Sequence, residues 1–486
     1  MFTQNCNYYF SVNFRFGIIF CFIIFCFIFS GCNSFGERHI KLRDEFTGGQ
    51  IDKAKANVNR AIKNNSDKDI DLLKLNSAMI ELCCGNFKSA ELLLREVRDK
   101  FDRLENEQVL NAARNAKSFL TDDNAIAYSG EDYEKVLIRV FLAISNLMQD
   151  GSDAYAYSLQ INDKQNKIIE RKKSEFRNLC NDNSDLLKRV NASYCNVAIG
   201  AYLSGILLEE SKRNYYEAYR NYERANLWAN GKTNDGYKFN DDLERAKNGV
   251  HSKSGNGVVY IFVLAGKGPY KVQRNCEVLQ DVQVLTTALL SHFSEISTIP
   301  DFMPVMIPVL VTSSAIGGIG GGLSNKRQNN TVKVLVDGNF AGETKVITDV
   351  SEMALGQFEA NKPMIIAKTI IRRAFKKGVV YGAKKAVDAN SWVGLALELG
   401  GMVWEGMETA DTRCWNLLPD TIQMQRIELP AGEHEIILKT PMQNYAENKK
   451  FHAKKIKIKN GKNTYVLANF IDNKLIGNIT TNNGEL

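Results

Sequence analysis

No proline precedes Pro269 in this chain of 486 residues; all eight lie at or beyond that position. Proline breaks a helix because it lacks an N–H and its ring collides with the preceding turn. The long proline-free stretch therefore suits uninterrupted helices, while the remainder suits strands and turns. A Gly/Ser/Asn-rich run from Gly249 to Gly257 marks the change. The chain reads as a leader over 1–31, an all-α domain over 32–250 and an α+β domain with mostly antiparallel strands over 256–486. Its 44% apolar and 24% charged content is that of a globular protein.

The leader is the next constraint. Arg15 is the only charged residue before an apolar run from Ile18 to Phe29, and Ser30, Gly31 and Cys32 follow. A basic residue, a short apolar run and small residues make a secretory signal. As a helix the run would extend about 18 Å, short of the roughly 30 Å hydrocarbon core. Phe29-Ser30-Gly31-Cys32 resembles the bacterial lipobox, with Phe29 where that family usually has leucine. The resemblance implies acylation of Cys32 as the mature N-terminus and attachment to a membrane through lipid. Asn33, rather than aspartate, resembles the outer-membrane default of Gram-negative lipoproteins and implies the periplasmic face there. Six cysteines remain beyond Cys32, either as disulfides or as buried thiols.

Within 32–250 a motif recurs. Gly49-Gln50-Ile51 leads to Ala54, Val58 and Ala61, and Gly85-Asn86-Phe87 leads to Ala90, Leu94 and Val97. Tyr133 is followed by Val136, Val140 and Ala143, and Asn214-Tyr215 by Ala218, Tyr222 and Ala225. A loop residue, a knob, a small residue three on and further apolar residues resemble tetratricopeptide repeats. Such repeats imply stacked helix pairs that present a concave surface to a protein partner. A plain helical bundle is the competing reading.

Beyond Gly257 the periodicity shortens. Val258 to Leu264 is β-branched and aromatic throughout, a strand buried on both faces. Val332–Val336, Asp337-Gly338 and Thr344–Ile347 read as a hairpin. Helices are expected over 353–377 and 382–408, and a closing antiparallel run over 422–429, 435–439, 455–458 and 464–469. Met303 to Leu323 is uncharged, but Pro304, Pro308 and its glycine clusters favour a buried strand and a glycine loop over a membrane helix.

Signals for chemistry are sparse. Five scattered histidines show no ligand spacing, so neither a metal nor a cofactor is expected. No catalytic constellation stands out, and the glycine loop lacks the lysine of a phosphate-binding loop. The formal charge of +7 is too weak and dispersed for a nucleic-acid surface. Part of the cluster Arg372, Arg373, Lys376 and Lys377 falls on one solvated face of an amphipathic helix packed on its core, with a lipid-headgroup contact as the alternative. The most distinctive string is Asp411-Thr412-Arg413-Cys414-Trp415-Asn416-Leu417-Leu418-Pro419. Its Asp411–Arg413 pair is expected to be buried beneath Trp415, with a ligand-contacting loop as the alternative.

The leader, the repeat-like helices, Gly266-Lys267-Gly268-Pro269, the Asp411 to Pro419 string and Leu429-Pro430-Ala431-Gly432 together resemble an uncharacterised family of bacterial lipoproteins with tetratricopeptide-like N-terminal halves. Cys414 stands where that family suggests serine. Leu429 to Lys439 also resembles the strand entry of PEGA domains. These resemblances imply architecture and location, not a reaction. The expectation is a non-enzymatic envelope lipoprotein that binds a protein partner. The alternative is an envelope enzyme or carbohydrate-binding module using the loop of Asp411, Arg413, Trp415 and Pro419.

Overall fold

The computed structural model describes residues 35–64, 68–111, 126–179, 185–229, 236–277, 282–283, 285–287, 305–312, 331–386, 410–440 and 452–482. Cys32 and the expected signal segment lie outside the described residues. Residues up to Leu42 form one unit, whose described part is the opening of helix α1 (Phe35–Thr47); Arg43–Leu486 form a second, compact unit. Among the described residues no helix is long and apolar enough to cross a membrane.

The N-terminal half is helical: α2 (Ile51–Asn64), α3 (Ile70–Cys83), α4 (Phe87–Asn111), α5 (Asp132–Leu147), α6 (Ala154–Leu179), α7 (Asp185–Ser193), α8 (Ala198–Ser211), α9 (Tyr215–Ala229) and α10 (Asn240–Lys247). Gly49, Gly85, Gly151 and Lys212 have positive φ, and a helix opens two or three residues after each. A left-handed residue reverses the chain and satisfies the carbonyls left over at a helix end. Ala54, Ala90, Ala154 and Ala218 then lie fully buried in the first turn of the returning helix. Of the motifs read from sequence, those at Gly49, Gly85 and Asn214 fall on returning helices. The one at Tyr133 lies instead on α5, the outgoing arm of a hairpin whose loop holds Gly151, and the small residue in register is Ala154 on α6.

The composition shift at 249–257 coincides with the change from α10 to the first strand. β1 (Asn256–Ala265) is the centre of the main sheet, ordered β11-β10-β1-β7-β6 with β12 on β10. Its other members are β6 (Lys345–Asp349), β7 (Thr421–Pro430), β10 (Asn463–Ile471), β11 (Lys474–Leu475) and β12 (Thr480–Thr481). A second sheet, β5-β4-β8-β9, comprises β4 (Lys333–Val336), β5 (Asn339–Glu343), β8 (Gly432–Lys439) and β9 (His452–Ile458). β2 (Tyr270–Cys276) and β3 (Val305–Val311) form a separate antiparallel pair, and α11 (Val350–Ala386) follows β6.

Alternation along β1 explains why both of its faces are buried. Val259, Ile261, Val263 and Ala265 join Val334, Ile436, Leu438 and Ile456 in the core between the two sheets. Tyr260, on the opposite face, packs edge-on to Tyr202 of α8 with ring centroids 6.5 Å apart. Helices, main sheet and second sheet are thus successive layers.

Three expectations are corrected. The closing strands are not all antiparallel, because β10 runs parallel to β1, with Val258 opposite Asn463. The hairpin at 332–347 turns at Asp337-Gly338, both with positive φ, but its return strand is β5; β6 crosses to the main sheet and pairs with β7. α11 begins three residues before 353 and continues past Gly382 to Ala386, with Pro363 inside it. The rest of the second expected helix lies outside the described residues. Mostly antiparallel pairing otherwise holds, and Met303 to Leu323 contains β3.

Candidate functional site

The segment from Asp411 to Asp420 leads into β7 and is inserted against the helical half. Asp411 and Arg413 form a forked pair, with Nε to Oδ1 at 2.9 Å and Nη2 to Oδ2 at 2.8 Å. Arg413 Nη1 also donates to Asp69 Oδ1 at 3.0 Å, at the start of α3, and to the Ile126 carbonyl at 2.9 Å. Two parallel N–H to carboxylate bonds fix orientation as well as charge. Burial works against the charge on Arg413, but its bonds to Asp411 and Asp69 raise its affinity for the proton. Burial likewise opposes ionisation of Asp411, yet Arg413 and the nearby Lys271 hold that carboxyl below the usual range.

Arg413 is therefore buried and Asp411 partly so, but Trp415 is not the lid of the pair. The guanidinium lies over Tyr128, 5.5 Å from the ring centre. Trp415 is wholly buried and meets Phe141 of α5 edge-on at 5.6 Å. Its backbone N–H donates to Glu134 Oε1 at 2.7 Å.

Glu134 is the central group that sequence reading overlooked. It sits in the first turn of α5 and closes a capping box with Glu131. Its carboxylate accepts from the hydroxyls of Tyr128 and Tyr133, the N–H of Glu131 and the N–H of Trp415. Burial, with the charge of Glu131, still pushes its pKa up to about 7 against these hydrogen bonds. The available signal was a glutamate three residues after Glu131 at the head of an apolar helix, the spacing of a capping box. Asp69 carried no comparable signal.

The opposite end of the segment is equally occupied. Pro419 is buried. Gly268 donates its N–H to the Leu418 carbonyl at 2.9 Å, and a Cβ on Gly268 would lie 2.3 Å from that oxygen. The Gly266 to Pro269 turn and the Asp411 to Pro419 string thus meet in space. The Ser351 hydroxyl and the backbone N–H groups of Val350 and Ser351 bond Asp420, which ties in the start of α11. Lys271 of β2 pairs with Glu131. Burial pushes the Cys414 thiol up to about 12, so it stays protonated and donates to Asn416 Oδ1 at 2.9 Å.

Hydrogen bonds and packing within the protein therefore hold Asp411, Arg413, Trp415 and Pro419 in one junction. Among the described residues no group of histidines, cysteines and carboxylates is arranged to hold a metal ion. His251 bonds Asn463 and His434 bonds Asp337, each at a separate place. Of the basic cluster on α11, Arg372 is buried and Arg373 half-buried, and the side chains of Lys376 and Lys377 lie outside the described residues. No family model, curated protein or solved structure matches this chain.

Proposed function

We propose that this protein is a lipid-anchored envelope lipoprotein whose helical half, built of tetratricopeptide-like hairpins, is a non-enzymatic scaffold for a protein partner. The observation that carries the reading is the ladder joining two returning helices. Arg95 and Arg98 of α4 reach Asp153 and Gln160, the latter on α6. Further along, Asp102 and Glu105 of α4 meet Lys164 and Arg171 of α6. Later residues of one helix pair with later residues of the other, so the two run parallel. Stacked hairpins bring alternate helices side by side in this way. Beside the ladder Leu92, Tyr155 and Leu159 remain exposed, apolar contacts suited to a protein surface.

The enzyme or carbohydrate-module reading through the Asp411 to Pro419 loop draws no comparable support, since Asp411, Arg413 and the backbone around Trp415 are bonded within the fold. The membrane attachment rests on the leader and Cys32. Metabolic labelling with an acyl analogue should mark the wild type and not Cys32→Ser. Crosslinking in intact envelopes should then yield a defined adduct that Leu92→Arg with Leu159→Arg abolishes while the melting temperature is kept. An adduct indifferent to those substitutions refutes the scaffold face, and unlabelled wild type refutes the anchor.

A further inference from the structure

The contact between the helical half and the segment leading into β7 turns on one carboxyl group whose donors are all neutral. Glu134 is wholly buried, and its two oxygens accept from the hydroxyls of Tyr128 and Tyr133 and from the backbone N–H groups of Glu131 and Trp415. The charges around it are engaged elsewhere. Glu131 at the head of α5 pairs with Lys271 of β2, Asp69 of α3 and Asp411 hold Arg413, and Lys135 of α5 pairs with Glu105 of α4. Burial keeps the hydroxyls of Tyr128 and Tyr133 and the thiol of Cys414 protonated.

Such a site accommodates both states of the carboxyl, but not equally well. A tyrosine hydroxyl accepts as readily as it donates, so Tyr128 can turn to receive the proton of Glu134, while the Trp415 and Glu131 N–H groups bond either form. Ionised, the same carboxyl is a charge shut away from water beside the charge of Glu131, and these two effects outweigh the hydrogen bonds. The side of the contact that gives way is the segment. Asp411 to Trp415 lies outside every helix and strand, and irregular backbone opens more readily than a paired ladder.

We propose that Glu134 is a proton-operated latch: protonated, it holds the Trp415 backbone against α5, and deprotonated, it lets the Asp411 to Asp420 segment lift away. Opening returns the carboxyl to water, so its ordinary value of 4.5 and its value of about 7 in the closed form set the window. The ratio of open to closed segment rises tenfold per pH unit between those values, about 300-fold in all, and levels off above them. The latch concerns how the two halves are held together, and it stands or falls independently of the α4–α6 face and of the lipid anchor.

The test is hydrogen–deuterium exchange of the full chain between pH 4.5 and 8, read at single amides by mass spectrometry with electron-transfer fragmentation and corrected for intrinsic exchange. Protection of the Trp415 N–H should fall about tenfold per pH unit up to about pH 7. At pH 8 it should lie at least about tenfold below that of the β1 amides, which report unfolding of the whole molecule. In Glu134→Gln, which cannot ionise, Trp415 protection should change by less than about threefold across the range. Tyr128→Phe removes a hydrogen bond that favours the carboxylate and should carry the fall on to higher pH. Trp415 protection equal to that of β1 at every pH would mean that the segment opens only with the entire fold. That result, protection flat with pH in the wild type, or the same fall in Glu134→Gln overturns the proposal.

Discussion

Replacing Arg413 by methionine keeps the length of the side chain and removes the charge that joins helix α3 to the strand half. The side chain is 5% exposed, and its partners Asp69 and Asp411 are 9% and 19% exposed. Three contacts to carboxylates disappear, at 2.8, 2.9 and 3.0 Å, and with them the bond to the Ile126 carbonyl at 2.9 Å. Two carboxylates lose their cation, Asp69 nearly shut off from water and Asp411 partly reached by it, and removing one partner of a buried pair typically costs about 3–5 kcal/mol. Lys271 lies close enough to Asp411 to offset part of this. The expected loss is therefore about 4 kcal/mol. Asp69→Asn retains a hydrogen-bond acceptor and should cost less, about 1–2 kcal/mol. A double-mutant cycle between the two positions should show coupling of about 1–3 kcal/mol. Equilibrium urea unfolding, followed by helical circular dichroism and by tryptophan fluorescence, provides the measurement. A loss below about 1 kcal/mol, or no coupling, would show that the pair is not what secures the junction.

Three further outcomes follow from the geometry. The Glu134 carboxyl has an ordinary pKa of 4.5, raised to about 7 in the folded protein, so the unfolded chain releases this proton first and stability falls as pH rises through that window. At 1.36 kcal/mol per unit the fall is about 3 kcal/mol; it should appear as a slope in wild-type minus Glu134→Gln stability between pH 4 and 8, and a flat difference contradicts it. Gly205→Ala should lower the urea midpoint, costing about 1–3 kcal/mol by overpacking, because its Cβ would sit 2.5 Å from the Tyr222 ring; the rise normal for Gly→Ala in a helix would contradict this. Cys83 and Cys414, both pushed up to about 12 by burial, should resist iodoacetamide at pH 8 in the native protein and react in urea, as read by mass spectrometry; native labelling at either refutes the burial.

Legibility in the sequence followed local physics. β1 was plain because an unbroken β-branched and aromatic run has few other places to go than between two layers. The Asp337-Gly338 turn was plain because both residues tolerate positive φ. β5 was missed since Asn339-Phe340-Ala341-Gly342-Glu343 lacks alternation; it exists because β4 offers it an edge. The parallel placement of β10 is set by which neighbour is vacant, and period-two patterning carries no direction. At the junction, Asp411 and Arg413 were found because they lie two residues apart. Asp69 and Glu134 were missed because they are 344 and 281 residues from their partners Arg413 and Trp415.

The parallel pairing of β10 with β1 has a temporal consequence. Val258 must wait for Asn463, some two hundred residues later, before its strand is flanked on that side. During synthesis the helical hairpins can close on near neighbours, but the centre of the sheet keeps one flank open until β10 has emerged. Contacts of such long sequence separation form late and slowly. A ribosome stalled anywhere between β7 and β10 would present a Val/Ile-rich edge ready to pair with another copy. Final closure of the main sheet is thus governed by β10, and truncation before that strand should produce aggregation rather than a smaller stable fold.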